Sequence, residues 1–325
     1  MVPKETPPNP RSKTPLLRWL GTVISFALLI YLLSRQGWAE IWYALKSISP
    51  LYFGIAIGLM LISRLMVCGR WYTLLKSGSQ HISVWNTIRL VFAGLFASNF
   101  LPTTIGGDVV RLAGAVKGKH DASVITASLV ADRLIGMAGM ASLLPIGIPY
   151  LMSAKAALSP GDGPVPIYAL SFLGKFTRLL GKVRDFLNST VKALLIWIHK
   201  PFALLIALLW TYGHQAALFT TVWVLFLGMN QTISWWVVAG LWIFNYFITL
   251  LPISINGMGV QELTIAYVYT RFGGVSPDSG LVLAVIMRAL YLIASLPGVF
   301  TLPEILNSGK PRAGNKTPTG SFPRH

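Results

Sequence analysis

Apolar positions along the chain run continuously for about 18 residues or more at a time, with no period-two alternation. Runs of that length cross a bilayer as helices, and their continuity excludes a β-barrel. Clear spans fall at Leu16–Ser34, Leu51–Val67, Val84–Leu101, Leu134–Leu151, Phe202–Gly228, Ile233–Leu251 and Leu281–Leu302, with an eighth left open around Ala193–Trp210. The pattern predicts an all-α fold: a polytopic transmembrane helix bundle of about seven or eight spans within residues 16–306. Residues 1–15 hold five prolines. They and residues 307–325 lack a periodic apolar pattern and read as disordered tails.

Two of the runs break in the same way. One reads Leu101-Pro102-Thr-Thr-Ile-Gly106-Gly107-Asp108-Val-Val-Arg111, the other Leu251-Pro252-Ile-Ser-Ile-Asn256-Gly257-Met258-Gly259-Val-Gln-Glu262. Each is followed by a polar link and an apolar helix carrying an embedded arginine, Asp132-Arg133 in one and Arg288 in the other. Interrupted hydrophobic segments at matching places in two halves are the best sequence pointer to a transporter's binding site. The units, about 84–151 and 233–302, predict re-entrant-like half-helices in an internal repeat. The reading favours an inverted repeat, with the half-helices meeting near mid-membrane. Between the units, Phe172, Phe176, Leu179, Leu180, Val183, Phe186 and Leu187 recur at spacings of three and four, opposite Lys175, Arg178, Lys182 and Asp185. This predicts an amphipathic connecting helix at about 168–199, resting on an anionic surface or packed on the bundle.

Composition changes the picture in three ways. Charged residues are only 11% of the chain, against roughly 25% in soluble domains. The net charge of +17 lies in loops and tails, as on the cytoplasmic side of a membrane protein, so nucleic acid is not the partner. Lys4, Arg11 and Lys13 before the first span, with Arg18 at its start, put the N-terminus in the cytoplasm. Cys68 is the single cysteine, and the five histidines show no zinc-ligand spacing, so neither a metal nor a cofactor is expected. Gly54 and Gly58 form a Gly-x-x-x-Gly pair suited to close helix packing.

The candidate chemistry is charge at lipid depth, which costs at least about 2.5–3.5 kcal/mol per group on insertion scales. Asp108, Asp132 and Glu262 are the acids near the breaks, and Arg111, Arg133 and Arg288 the arginines. They read either as structural ion pairs or as a site gripping an anionic head, for which arginine's planar fork is suited. Asp108 has an alternative role as a helix N-cap. Asp132 and Arg133, being adjacent, point to different partners. Pro102, Gly106, Gly107, Pro252, Gly257 and Gly259 are the breaks and hinges. The first half carries more of these charges and is expected to contribute more to holding an anion. Arg70-Trp71-Tyr72 reads as a snorkelling anchor at a span end, while Arg64 lies deeper.

These motifs together, with Ala131-Asp132-Arg133 opening a span and Leu74-Leu75 after Arg70-Trp71, resemble the flippase-like family named for the transmembrane region of lysylphosphatidylglycerol synthase. The resemblance covers about residues 15–305. It implies a multi-pass protein of the prokaryotic plasma (inner) membrane that moves amino-acylated or glycosylated lipids between leaflets. The short stretch after the last span leaves no room for the family's soluble synthase domain, so the resemblance implies no synthase activity. Many relatives carry arginine just before the glutamate, where this chain has Gln261.

The function expected is therefore a lipid flippase or translocator for an anionic phospholipid, glycolipid or polyprenyl-linked lipid, with no catalytic residues. Its partners would be membrane lipids, with a homo-oligomer and lipid-biosynthesis enzymes left open. The alternatives are a small-solute secondary transporter, a membrane-embedded transferase, and an accessory subunit of envelope biosynthesis.

Overall fold

A computed structural model of the protein describes residues 48–99, 106–149, 199–249 and 260–307, with Lys46 and Trp197. The span at 16–34, nearly all of the amphipathic stretch, Pro102, Pro252, Gly257, Gly259 and both tails lie outside the described residues.

The described residues form helices throughout: α1 (Pro50–Ser77), α2 (Val84–Ser98), α3 (Gly106–Lys117), α4 (Ala122–Ser142), α5 (Pro201–Gly228), α6 (Trp235–Thr249), α7 (Val260–Gly273), α8 (Pro277–Ser295) and α9 (Gly298–Asn307). Among them α1, α4, α5 and α8 are long and apolar enough to cross a membrane. The chain marks its own helix starts. Proline stands in the first turn of α1, α5 and α8, where its missing N–H is no loss. The side chains of Ser83, Asp121 and Ser276 accept backbone N–H groups at the starts of α2, α4 and α8. Asp121, outside the span it caps, has its carboxyl held below the usual range by the Ser123 hydroxyl and by the N–H groups of Ser123 and Val124.

The repeat is longer than the sequence pattern suggested. α1 and α5 are each 28 residues, and each precedes an apolar helix of 15 residues, a break, a short helix and a long one. The turns correspond as well. Ser79 and Asn230 both take the left-handed conformation, as do Lys119 and Gly274 at the later link. After α1 the N–H of Gln80 bonds the Leu75 carbonyl, and after α5 the N–H of Gln231 bonds the Phe226 carbonyl. These are matching Schellman closures.

Two contact registers fix the topology. Along α1 and α5, Trp197 before α5 donates to Ser77 at the end of α1 (2.8 Å), Ser63 meets His214 (2.7 Å), and Gly228 lies against Tyr52. The equivalent helices are therefore antiparallel, and the repeat is inverted. Within each unit the broken segment turns back on itself. Gly107 packs on Gly94 and Gly114 on Leu90. In the second unit Tyr269 Oη donates to the Val238 carbonyl (3.0 Å), and Ser276 N–H to Gln231 Oε1 (3.2 Å). α2–α3 and α6–α7 are thus re-entrant hairpins, entered from opposite faces. The runs counted as spans at Val84–Leu101 and Ile233–Leu251 are their descending limbs. α2, closed by Asn99 after 15 residues, or about 22 Å of helix, is too short for a core of about 30 Å. The eighth span considered at Ala193–Trp210 is not separate, because Trp210 belongs to α5.

Each unit also reaches across to the other's hairpin. Gly298 and Thr301 of α9 lie against Phe92 and the Arg89 carbonyl of α2, and Gly147 lies against Gly240 of α6. The main core joins α1, α5, α6, α7 and α8, and a second lies among α1, α2, α3 and α4. Gly54 and Gly58 take no part in packing among the described residues, since a Cβ there meets nothing within 4 Å. Gly107 does: its Cβ would fall 2.5 Å from the Gly94 carbonyl oxygen. Gly107→Ala should lose about 1–3 kcal/mol by overpacking, while Gly58→Ala, on an open helix face, should lose none. Denaturant unfolding in mixed micelles measures both.

Candidate functional site

The hairpins place their charged residues against the long helices. In the first unit the arginines and acids form one chain. Arg70 of α1 donates through Nε to Asp132 Oδ1 of α4 (2.7 Å). Arg111 of α3 donates through Nη1 and Nη2 to Asp132 Oδ2 (both 3.3 Å) and through Nη1 to Asp108 Oδ1 (3.2 Å). Asp108 then accepts from Arg133 Nε. The Arg111 guanidinium also stacks over the Trp71 ring, 4.0 Å from its centroid. Three arginines thus share two aspartates, and the chain is buried except at the Arg133 end. In the second unit Arg288 Nε donates to Glu262 Oε1 (2.5 Å). Arg288 Nη2 lies equally close to that oxygen, so the guanidinium and the Glu262 carboxylate form one ion pair.

Between the units lies a cavity of ≈ 270 Å³. Its lining pairs equivalent positions of the repeat, Arg64 with Gln215, Leu95 with Tyr246, and Ser98 with Thr249, so it sits on the pseudo-twofold axis. Ser63 and His214, also equivalent, share a hydrogen bond beside it. Arg288, Trp242, Asn245 and Tyr291 line it too, and Asn99 closes part of its wall by donating to Ser295 Oγ (2.8 Å). Gln215 and Asn245 are 4% and 1% exposed, and Gln215 Oε1 and Asn245 Oδ1 have no partner. Arg64 makes no ion pair among the described residues. Its guanidinium lies over the Tyr291 ring (4.9 Å to the centroid), with Nη2 3.4 Å from Met60 Sδ.

Of the residues singled out in the sequence, Asp108, Arg111, Asp132 and Arg133 are brought together, with the different partners for Asp132 and Arg133 that adjacency required. Glu262 and Arg288 form a separate pair. Gly106 and Gly107 open α3 and are buried. Only Arg288 of the three arginines lines the cavity. The first half was expected to hold an anion more strongly, yet its Arg111 and Arg133 are bound to aspartates. Arg70 is no interfacial anchor. α1 continues to Ser77, which carries Arg70 inside the bundle, 8% exposed, and buries Trp71 with its Nε1 on Ser128 Oγ (3.0 Å). Gln215 and Asn245 are cavity residues that motif reading missed, and Arg64 was noted only as lying deep, without a place in the site. Their signal was a polar side chain inside an apolar run.

No curated protein matches the chain. The model of the family described as the lysylphosphatidylglycerol synthase TM region matches residues 18–298, nearly the whole chain. With four helices fit to cross a bilayer, this is a multi-pass membrane protein, and it belongs to the family of the lysylphosphatidylglycerol synthase TM region.

Proposed function

We propose that the protein moves a lipid with an anionic head between leaflets, the head passing through the axial cavity while the tails stay in the bilayer. The observation that carries this reading is Arg64, a guanidinium without a carboxylate partner among the described residues, in a polar cavity on the axis of an inverted repeat. A cation held away from water is costly unless a counter-charge arrives. An anionic head supplies one, and Arg288, paired with Glu262, lines the same cavity. Exchange of shape between the two inverted units would expose the same site to each leaflet in turn. Among the described residues Asp108, Asp132 and Glu262 are all bound to arginines, which favours transport over a transferase that needs a free acid beside the breaks. Lys76, Lys117, Lys119 and Lys200 gather where α1 and α3 end and α5 begins, and we assign that face to the cytoplasm of a prokaryotic inner membrane.

The test is leaflet accessibility in liposomes containing the purified protein, with a trace of labelled anionic lipid or labelled phosphatidylcholine. The anionic lipid should exchange faster than in protein-free vesicles and faster than phosphatidylcholine. Exchange no faster than in protein-free vesicles overturns the reading. Uptake of a soluble anion without lipid exchange would replace it with a solute transporter.

A further inference from the structure

Resting on the transport reading above, we infer that the protein carries one proton with each anionic head, held at His214, so that a pH difference across the membrane drives the lipid. His214 stands halfway along α5 and Ser63 halfway along α1, both helices of 28 residues. The pair therefore lies near mid-membrane, beside the repeat axis. His81, His120 and His199 stand outside the helices, in links or just before one. His214 is half-buried and lines the axial cavity together with Arg64. Its Nδ1 lies 2.7 Å from Ser63 Oγ and 3.2 Å from the Ser63 carbonyl oxygen. Its Nε2 bonds no described residue and is not sealed off. The carbonyl can only accept, so it favours a proton on Nδ1 and leaves the ring's lone pair on Nε2. A proton reaching the cavity from water adds to that lone pair and returns to water on leaving. The bond from Nδ1 to Ser63 is the same in both states.

The charges around the ring tie its proton to the anion. α5 packs against α1, α4, α6 and α8. Arg64 and Arg70 act on His214 from α1 and Asp132 from α4, while Tyr246 of α6 and Arg288 and Tyr291 of α8 share its cavity. Asp132 is held by Arg70 and Arg111, and Glu262 holds Arg288. Arg64 has no carboxylate among the described residues, so in the empty protein the imidazole stands beside an unbalanced cation. A second cation there, away from water, is disfavoured. An anionic head at Arg64 removes that objection, and a proton on His214 in turn strengthens the hold on the head. Linked binding of this kind is reciprocal. A phosphate monoanion and the added proton cancel, so the loaded site carries the same net charge as the empty one. Across a membrane kept acid outside, the coupling draws lipid toward the cytoplasmic leaflet. A pair kept only to fix the crossing of α1 and α5 needs a hydrogen bond, which an amide supplies as well, and has no use for a ring that titrates near neutral pH.

The experiment places the full chain in phosphatidylcholine liposomes with a trace of acyl-labelled phosphatidylglycerol, at about pH 6 outside and about pH 8 inside, on either side of the imidazole range. The label should gather in the inner leaflet, and in the outer leaflet when the gradient is reversed. The leaflet ratio should rise toward about tenfold per pH unit, the limit for one proton per head. Protein-free vesicles should show no such gathering over the same time, and a potassium diffusion potential at equal pH should produce none with the protein. His214→Asn keeps an amide where Nδ1 meets Ser63 but cannot titrate. Its label should end evenly spread under either gradient. Where that variant moves label too slowly to read, the ring-nitrogen resonances of His214 decide, assigned by their loss in His214→Asn or His214→Gln. In phosphatidylglycerol nanodiscs at about pH 6 the wild-type ring should be protonated, and in phosphatidylcholine nanodiscs it should not. Even spread in the wild type, or gathering driven by the diffusion potential, overturns the inference while leaving lipid transport standing. So does gathering that persists in His214→Asn, or a ring in the same state in both nanodiscs. Phosphatidylglycerol that moves no faster than in protein-free vesicles under any gradient overturns the transport reading, and the inference falls with it.

Discussion

Asp132→Ala is expected to lose about 3–5 kcal/mol of folding stability, the cost of removing one partner of a buried ion pair. Among the described residues Asp132 is the only carboxylate on Arg70 and one of two on Arg111, and its own side chain is 4% exposed. If it acted only as a hydrogen-bond acceptor, the loss would stay near the average of about 0.6 kcal/mol, with a ceiling of about 1.7, found for polar contacts in membrane proteins. The charge lifts the expectation above that range. Without Asp132, Arg70 keeps, among the described residues, the Thr211 hydroxyl, 3.3 Å from Nη1, and Arg111 keeps Asp108 and the Trp71 ring. Asp132→Asn separates the two contributions, because it retains the shape and most of the acceptor geometry while removing the charge. Reversible unfolding in mixed micelles should show the Asn variant nearly as unstable as the Ala variant. A loss under about 1.7 kcal/mol for Asp132→Asn would show that hydrogen bonding alone accounts for the site. Replacing Arg70, Arg111 and Asp132 together by Met and Leu should recover most of the loss, since a buried charge cluster exchanged for packed apolar groups is often neutral.

Asp108, Glu262 and Arg288 were legible in the sequence because charge interrupts apolar runs, and an interruption at lipid depth needs a reason. Hydropathy does not say whether a chain that enters the membrane leaves by the other face. That is why the runs around α2 and α6, 18 and 19 residues long in the sequence, looked like spans. Arg70 was misread for a related reason. Arg-Trp-Tyr at the end of an apolar run looks like an interfacial anchor, and only the continuation of α1 to Ser77 carries it inward. The long helices of the repeat could not be matched by residue type, because equivalent positions hold Ser63 and His214, or Arg64 and Gln215. Their equivalence lies in backbone geometry, in left-handed Ser79 and Asn230. Gln215 and Asn245 were missed because a neutral amide scarcely disturbs an apolar run. Their importance depends on what lies within reach of their oxygens, which is settled by helices distant in sequence.

Arg64→Met is expected to slow exchange of anionic lipids roughly 10–150-fold, equivalent to about 1.5–3 kcal/mol for one hydrogen bond to a charged group. The same variant should not lose folding stability, in contrast with Asp132→Ala. Arg64 has no carboxylate to strand, and its neighbours are the Tyr291 ring and the Met60 sulfur, which an unbranched thioether can contact as well. Removing a desolvated charge that has no partner in the empty protein relieves a cost, so the melting temperature should hold or rise. That opposition, stability kept while transport falls, is what distinguishes a charge retained for a ligand from one retained for the fold. Arg64→Lys keeps the charge but gives up the planar fork, and should fall between wild type and Met. Lipid exchange and thermal unfolding measured on the same preparations decide the matter. Arg64→Met that unfolds readily would make Arg64 structural, and unchanged exchange in a stable Arg64→Met would remove the cavity from the path of the head.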